Sequence, residues 1–178
     1  MQASSDVVVA KNAPASAVFD FDAVFSQDYA AVTRLIVRIV RDRGRAEELA
    51  VETFWRLWKT TGAHGESVRG WLRRTAVRLA IDELRRRVRR ERLDRLWPFG
   101  RVSTPDELFL SSEEQGRVRA VLAAMPRRDA ELLLLRSEDM PYDELAATLS
   151  LNPASVGTLL SRARQAFRKE YVKRYGDQ

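Results

Sequence analysis

Apolar residues recur every three to four positions along almost the whole chain, and that period points to an all-α fold. In FDAVFSQDYAAVTRLIVRIV they fall at Val24, Phe25, Val32, Leu35, Ile36, Ile39 and Val40. Asp42 to Gly44 breaks the pattern, and AEELAVETFWRLW resumes it with Leu49, Thr53, Phe54 and Leu57. TTGAHGES reads as a loop from its Gly, Thr and Ser content. VRGWLRRTAVRLAIDELRRRVRRERLDRL then predicts a long helix whose stripe runs through Leu72, Ala76, Leu79 and Ile81 to Leu84. No run of any length alternates as a strand would. The first half is therefore a domain of three main helices.

WPFGRVSTP carries two prolines, a glycine and no helical period, and reads as an inter-domain linker. Trp97 and Phe99 are unusual in a pure spacer and are expected to pack back on a domain. Beyond it the period restarts in DELFLSSEEQGRVRAVLAAMP, followed by a helix in RRDAELLLLRSEDM, a short one in PYDELAATLS and a longer one over 153–172. Asn152 can cap that last helix, and Pro153 suits its first turn.

Net charge is +6, and it is concentrated. Arg69 to Arg101 holds 12 basic and 4 acidic residues, a local +8 that leaves −2 for everything else. A polyanion, and nucleic acid first, is the partner such a segment suits. There is no cysteine, which excludes disulfides, cysteine zinc sites and thiol nucleophiles. The single histidine, His64, lies in the Gly-rich loop without partners for a metal site or a Ser-His pair, and reads as a solvated loop side chain. No phosphate-cradling glycine loop or HExxH motif occurs, so neither an enzyme nor a cofactor is expected. The N-terminal MQASSDVVVAKNAPASAV lacks a basic start and a long apolar core, so it is read as a flexible tail rather than a signal peptide. No run reaches 18 apolar residues, and a cytoplasmic protein without membrane insertion is expected.

Leu145, Ala146, Leu151, Val156 and Leu160 have the spacing of a helix-turn-helix. The alanine lets the two helices cross closely, and Leu151 plugs the corner. Ser150 stands where a turn glycine is usual, at some backbone strain. At about 100° per residue, Val156, Leu160, Ala163 and Phe167 share one face of the second helix. Ala154, Ser155, Thr158, Ser161, Arg162 and Gln165 turn the other way, toward whatever the helix reads. An ordinary helical hairpin with a solvated charged face has the same spacing.

In the first half, Arg73, Arg74, Arg78, Arg85, Arg86 and Arg89 line one long helix, where their mutual repulsion calls for a polyanion. Trp55, Trp58 and Trp71 stand near enough to stack on unpaired bases, although Phe54 and Trp71 fall on the apolar face and are expected in the core. Glu47, Glu48 and Glu52 cluster on the preceding helix, either as a solvated face or as a dock for a basic protein surface.

From about residue 20 to 175 the chain resembles an extracytoplasmic-function type sigma factor of bacterial RNA polymerase. The resemblance rests on FDAVFSQDY, RAEELAVETFWRLW and WLRRTAVRLAIDELRRR in the first half, and on LAAMPRRDAELLLLRSEDMPYDELAATLSLNPASV followed by SRARQAF in the second. It implies two small helical domains, sigma region 2 over 20–96 and sigma region 4 over 112–178, with a tail over 1–19 and a linker over 97–111. Region 2 would dock on the clamp helices of the largest polymerase subunit through Glu47, Glu48, Leu49, Glu52 and Phe54. It would open the −10 promoter element with the loop that carries His64 and with Arg74, Arg78, Asp82, Arg85 and Arg86, capturing a base flipped from one strand. Region 4 would dock on the flap of the second-largest subunit and place Ser155, Thr158 and Ser161 in the −35 major groove, beside Arg162, Arg164, Gln165 and Arg168. The linker would run through the polymerase interior.

Arg78 stands where family members often have asparagine, so base preference at −10 need not follow theirs. Gly157 and Leu159 replace residues that are often basic. The three arginines Arg162, Arg164 and Arg168 then act as phosphate clamps that position without specifying, and promoter choice is expected to lean on −10. The implied partners are core polymerase, promoter DNA and, as for many relatives, an anti-sigma factor; the implied role is stress-responsive transcription initiation. A free-standing helix-turn-helix regulator and a sigma-derived protein-binding module with weak DNA reading are the competing readings.

Overall fold

The computed structural model describes residues 19–64, 67–96 and 113–176. Seven α-helices account for most of them: α1 (Phe21–Val40), α2 (Arg43–Lys59), α3 (Val68–Leu96), α4 (Glu113–Ala124), α5 (Arg127–Arg136), α6 (Tyr142–Leu149) and α7 (Val156–Tyr175). No strand occurs among the described residues. The expected tail, apart from Phe19, which packs against the core, and the linker with Trp97 and Phe99 lie outside them.

Local chemistry sets the ends. Asp20 caps α1 by accepting from the Ala23 N–H at 2.9 Å, and Asp42 caps α2 in the same way from Arg45 at 2.9 Å. Only Arg41 and Asp42 separate the two helices, a tighter break than Asp42 to Gly44, because the carboxylate of Asp42 starts the next helix at once. Arg41 absorbs the turn in a left-handed conformation, φ 58°. Thr53 sits in the apolar stripe because its hydroxyl is satisfied internally, donating to the Leu49 carbonyl at 2.8 Å.

At 29 residues, α3 is roughly 43 Å long. That length lets both halves of the chain share it. α1 and α2 pack against it, and so do α4, α5 and α6. Between Leu72 and Leu84 its apolar residues are therefore buried nearly all round, and one continuous core runs from Ile36 and Phe54 through Ala76 and Ile81 to Leu135 and Leu160.

The helix-turn-helix is formed by α6 and α7. Ser150 adopts φ 54°, ψ 51°, the left-handed corner that glycine enters more readily. The Leu151 N–H reaches back to the Ala146 carbonyl at 2.8 Å, and Asn152 Oδ1 accepts from the Ala154 N–H at 3.0 Å. The second helix opens with a short 3-10 turn, Pro153–Ser155, before α7 proper. Gly157 has room for a side chain: a Cβ there would meet only Tyr142 Cε2, at an ordinary 3.8 Å. Gly157→Ala is thus expected to stabilise the fold by about 0.4–1 kcal/mol, through reduced freedom of the unfolded chain. A denaturant midpoint that falls would contradict this placement.

Candidate nucleic-acid interface

The second helix of the helix-turn-helix divides as its period predicts. Val156, Leu160 and Ala163 are buried, and Phe167 packs against the core. Thr158, Ser161, Arg162, Arg164, Gln165 and Arg168 are exposed, while Ser155 is half-buried in the 3-10 turn. Ala154 and Gly157 are also exposed, so the outward surface near the N-terminus of α7 is low and lets backbone come close to a groove. Leu159 is different: it is half-buried and packs against the core, which accounts for its apolar character. Among the described residues Arg162, Arg164 and Arg168 form no ion pair and hold their charge toward solvent.

The basic face of α3 has a different setting. The Arg78 Nε donates to Glu131 at 2.9 Å, and Glu131, on α5, is 2% exposed. Arg85 donates to the Ala123 carbonyl at 3.1 Å and to the Met125 carbonyl at 3.0 Å, capping the end of α4. Arg74 donates to the Thr148 carbonyl at 3.1 Å, and Arg73 pairs with Glu144. Asp82 is held by Arg127, with Arg127 Nη1 3.2 Å from one carboxylate oxygen. From α1, Arg38 pairs with Glu138. The repulsion expected along α3 is thus relieved by the chain itself: the second half supplies the carboxylates and carbonyls that the sequence assigns to a polyanion. Arg86 and Arg89 remain exposed, Arg86 lying 3.7 Å from Glu83.

This packing is not fully satisfied at Arg74. Its Nε is buried without a hydrogen-bond partner, an arrangement that costs about 1–3 kcal/mol. Burial, followed by the neighbouring Arg78 charge, lowers its pKa from the ordinary guanidinium value. Arg119 on α4 is similarly lowered by burial and by the charges of Arg87 and Arg41.

His64 is not a solvated loop side chain. Its ring stacks on Phe19 with centroids 3.9 Å apart, and its Nε2 lies 2.9 Å from the Leu57 carbonyl. Both contacts fix it at the end of α2.

The docking face of α2 also differs from expectation. Leu49 and Phe54, expected among the docking residues, are each 1% exposed and present almost no surface to a partner. Phe54 is enclosed by the rings of Phe25 at 5.0 Å, Tyr29 at 5.9 Å and Phe21 at 6.4 Å. The outward face of α2 instead carries Glu47, Glu48 and part of Glu52 beside Val51 (55% exposed), Trp55 (55%) and Trp58 (62%). The 51, 55, 58 spacing is visible in the sequence, but tryptophans near an arginine-rich helix suggest base stacking rather than an apolar strip on α2. Arg43 reaches Glu47 at 3.1 Å and Arg56 reaches Glu52 at 2.7 Å. Such exposed pairs contribute little, roughly 0–1 kcal/mol, and are readily exchanged for a partner's basic groups. A strip of large apolar side chains rimmed by carboxylates is a surface suited to a protein, whereas the exposed face of α7 is suited to DNA. No group of His, Cys, Asp and Glu among the described residues is placed to hold a metal ion, and no described helix is long and apolar enough to cross a membrane.

Comparison with known proteins identifies two family regions along the chain. Residues 24–90 match the family description Sigma-70 region 2, and residues 115–167 match Sigma-70, region 4. The chain is 31% identical over 153 residues to a probable RNA polymerase sigma factor, RfaY, of Xanthomonas campestris, a match that spans 81% of this chain and 38% of the relative. It is 28% identical over 166 residues to the ECF RNA polymerase sigma factor SigE of Mycolicibacterium smegmatis, across 89% of this chain and 64% of that one. The chain thus spans less than two thirds of either relative's length. In fold it is similar to the sigma factor RpoE of Bartonella quintana, solved in complex with the anti-sigma factor NepR, with a TM-score of 0.50, 17% identity and coverage of 86% of this chain and 97% of that one.

Proposed function

Because the chain belongs to the sigma-70 family, as a factor of the extracytoplasmic-function type, we propose that it directs RNA polymerase to promoters. In this reading it is a specificity subunit without catalytic chemistry of its own. Residues 20–96 act as region 2 and residues 112–178 as region 4, joined by the linker 97–111.

The observation that carries the reading is the exposed strip Val51, Trp55 and Trp58 beside Glu47, Glu48 and Glu52. It lies on a helix that takes no part in the helix-turn-helix. A free-standing DNA-binding regulator has no use for it, while a subunit that must seat on core polymerase does. We assign it to the clamp helices of the largest subunit. Leu49 and Phe54 support that face from beneath.

α7 then meets the −35 element. Ser155, Thr158 and Ser161 are short, so the helix sits close to the groove, and Arg162, Arg164 and Arg168 hold phosphates on either side. Gln165 is the longest neutral side chain on that face and the best suited to a base edge. Base specificity at −35 is modest for this reason. The −10 element falls to α3, with Arg86 and Arg89 already open to phosphates and Arg74, Arg78, Asp82 and Arg85 engaged by the second half. By extension from the Bartonella relative, an anti-sigma factor is a further partner.

Binding to core polymerase tests the docking assignment. The wild-type chain should bind core, and Glu48→Arg should weaken that binding while leaving the circular-dichroism spectrum and melting temperature in place. Core affinity unchanged by Glu48→Arg would refute the assignment.

A further inference from the structure

We propose that Glu83 is a positioning residue for DNA binding: buried where α2 meets α3, its carboxylate holds Arg86 and Arg90 at a cleft that receives a backbone phosphate. The inference rests on the assignment of α3 to promoter DNA.

Glu83 is 5% exposed, yet the two arginines that meet it from its own helix lie in solvent. Its two oxygens serve different partners. Oε2 accepts from Arg45 on α2, from Nε at 3.0 Å and from Nη2 at 2.9 Å. Arg45 Nη1 donates to Glu48, so every nitrogen of that guanidinium is engaged by the chain. Oε1 accepts from Arg90 Nη2 at 3.0 Å, and Arg86 Nη1 stands 3.7 Å from Oε2. Positions 83, 86 and 90 follow one another at helical spacing, which brings both arginines to one carboxylate. Asp42, which caps α2, and Arg89 complete the cleft, so four arginines face two carboxylates there.

A tie between α2 and α3 needs Arg45 alone. Two further arginines on the same carboxylate add little stability, because their side chains are exposed. What they gain is orientation. A guanidinium carries several N–H donors, and Arg90 gives only one nitrogen to Glu83. The remaining donors have no ion-pair partner among the described residues and stay open to a phosphate. The contact to Glu83 limits how far each side chain swings, so less freedom is lost when DNA arrives.

Charge and orientation predict opposite effects for Glu83→Gln. By charge alone, removal of a carboxylate beside DNA tightens binding and steepens its salt dependence. Loss of the anchor for Arg86 and Arg90 weakens binding and makes the salt dependence shallower.

Affinity of the full-length chain for a labelled single-stranded DNA oligonucleotide, titrated over a range of salt concentrations, reads both. Glu83→Gln should bind about threefold to tenfold more weakly than wild type, and the slope of log affinity against log salt should fall by about 1, for one phosphate no longer held. Arg86→Ala with Arg90→Ala should weaken binding further. Adding Glu83→Gln to that pair should cause no additional loss, since Glu83 acts through those two side chains. Glu83→Asp keeps the charge and withdraws the oxygens by one methylene, so it should melt as wild type does and lose affinity in the same direction. It carries the test if Glu83→Gln does not fold. Unchanged or tighter binding by the folded Glu83 variant, or a loss of the same size when the two arginines are already absent, would overturn the proposal and leave α3 on DNA. If the arginine pair itself leaves oligonucleotide affinity unchanged, the assignment of α3 to DNA fails, and the role of Glu83 fails with it.

Discussion

Phe54→Ala should lower the unfolding free energy by about 3–5 kcal/mol, a large share of the total stability of a small domain. The ring is buried against Phe21, Phe25 and Tyr29 and lies under α1, so truncation leaves a cavity that the rigid aromatic neighbours cannot fill. Trp55→Ala, one residue on, should change stability by no more than about 0.5 kcal/mol, as expected for an exposed position. Its effect should emerge in binding to core polymerase instead. Chemical denaturation of the two variants, followed by core binding of whichever remains folded, separates the roles. A stable Phe54→Ala chain with weakened core binding would return Phe54 to the docking face.

The second large effect is expected at Arg85 and Arg86. Replacing both with alanine should weaken promoter-complex formation on every sequence alike. It should also reduce the steepness of the dependence of log affinity on log salt by about 2, roughly one for each phosphate no longer held. The two arginines are not equivalent. Arg86 is exposed and makes only a long 3.7 Å contact to Glu83, so its loss acts mainly on DNA. Arg85 also binds the carbonyls of Ala123 and Met125, so Arg85→Ala loosens the packing of α4 on α3 as well. Titration across a range of salt concentrations measures both, and an unaltered slope in the double variant would count against phosphate binding at these positions.

Much of this architecture is legible in residue order. The helices follow from the 3.6-residue period, the helix-turn-helix from Leu145, Ala146, Leu151, Val156 and Leu160, and the faces of α7 from the same period applied to one helix. The corner at Ser150 is legible too, since the position calls for a left-handed residue whatever side chain it bears. What periodicity cannot supply is the identity of the surface opposite a polar face. The arginines of α3 signal a need for oxygen acceptors, which Glu131 and the end of α4 meet as well as DNA would. In RRDAELLLLR, Glu131 looks like a surface acid, and only the three-dimensional packing shows that it is buried. Leu49 and Phe54 teach the converse lesson. Their apolar period places them inside, where each is 1% exposed, and the solvent-facing side of the same helix is made by Val51, Trp55 and Trp58. Leu159 reads in the sequence as a missing polar side chain, whereas its packing against the core shows a position that serves the fold.

The central claim is that this chain confers promoter choice on RNA polymerase, and transcription in vitro tests it most directly. Core polymerase should be given a library of genomic fragments, with and without the full-length protein, and the 5′ ends of the transcripts mapped. The account predicts start points that arise only with the protein, lie downstream of shared −35 and −10 sequences, and fade with Glu48→Arg. Binding to core without promoter-specific transcripts would contradict it.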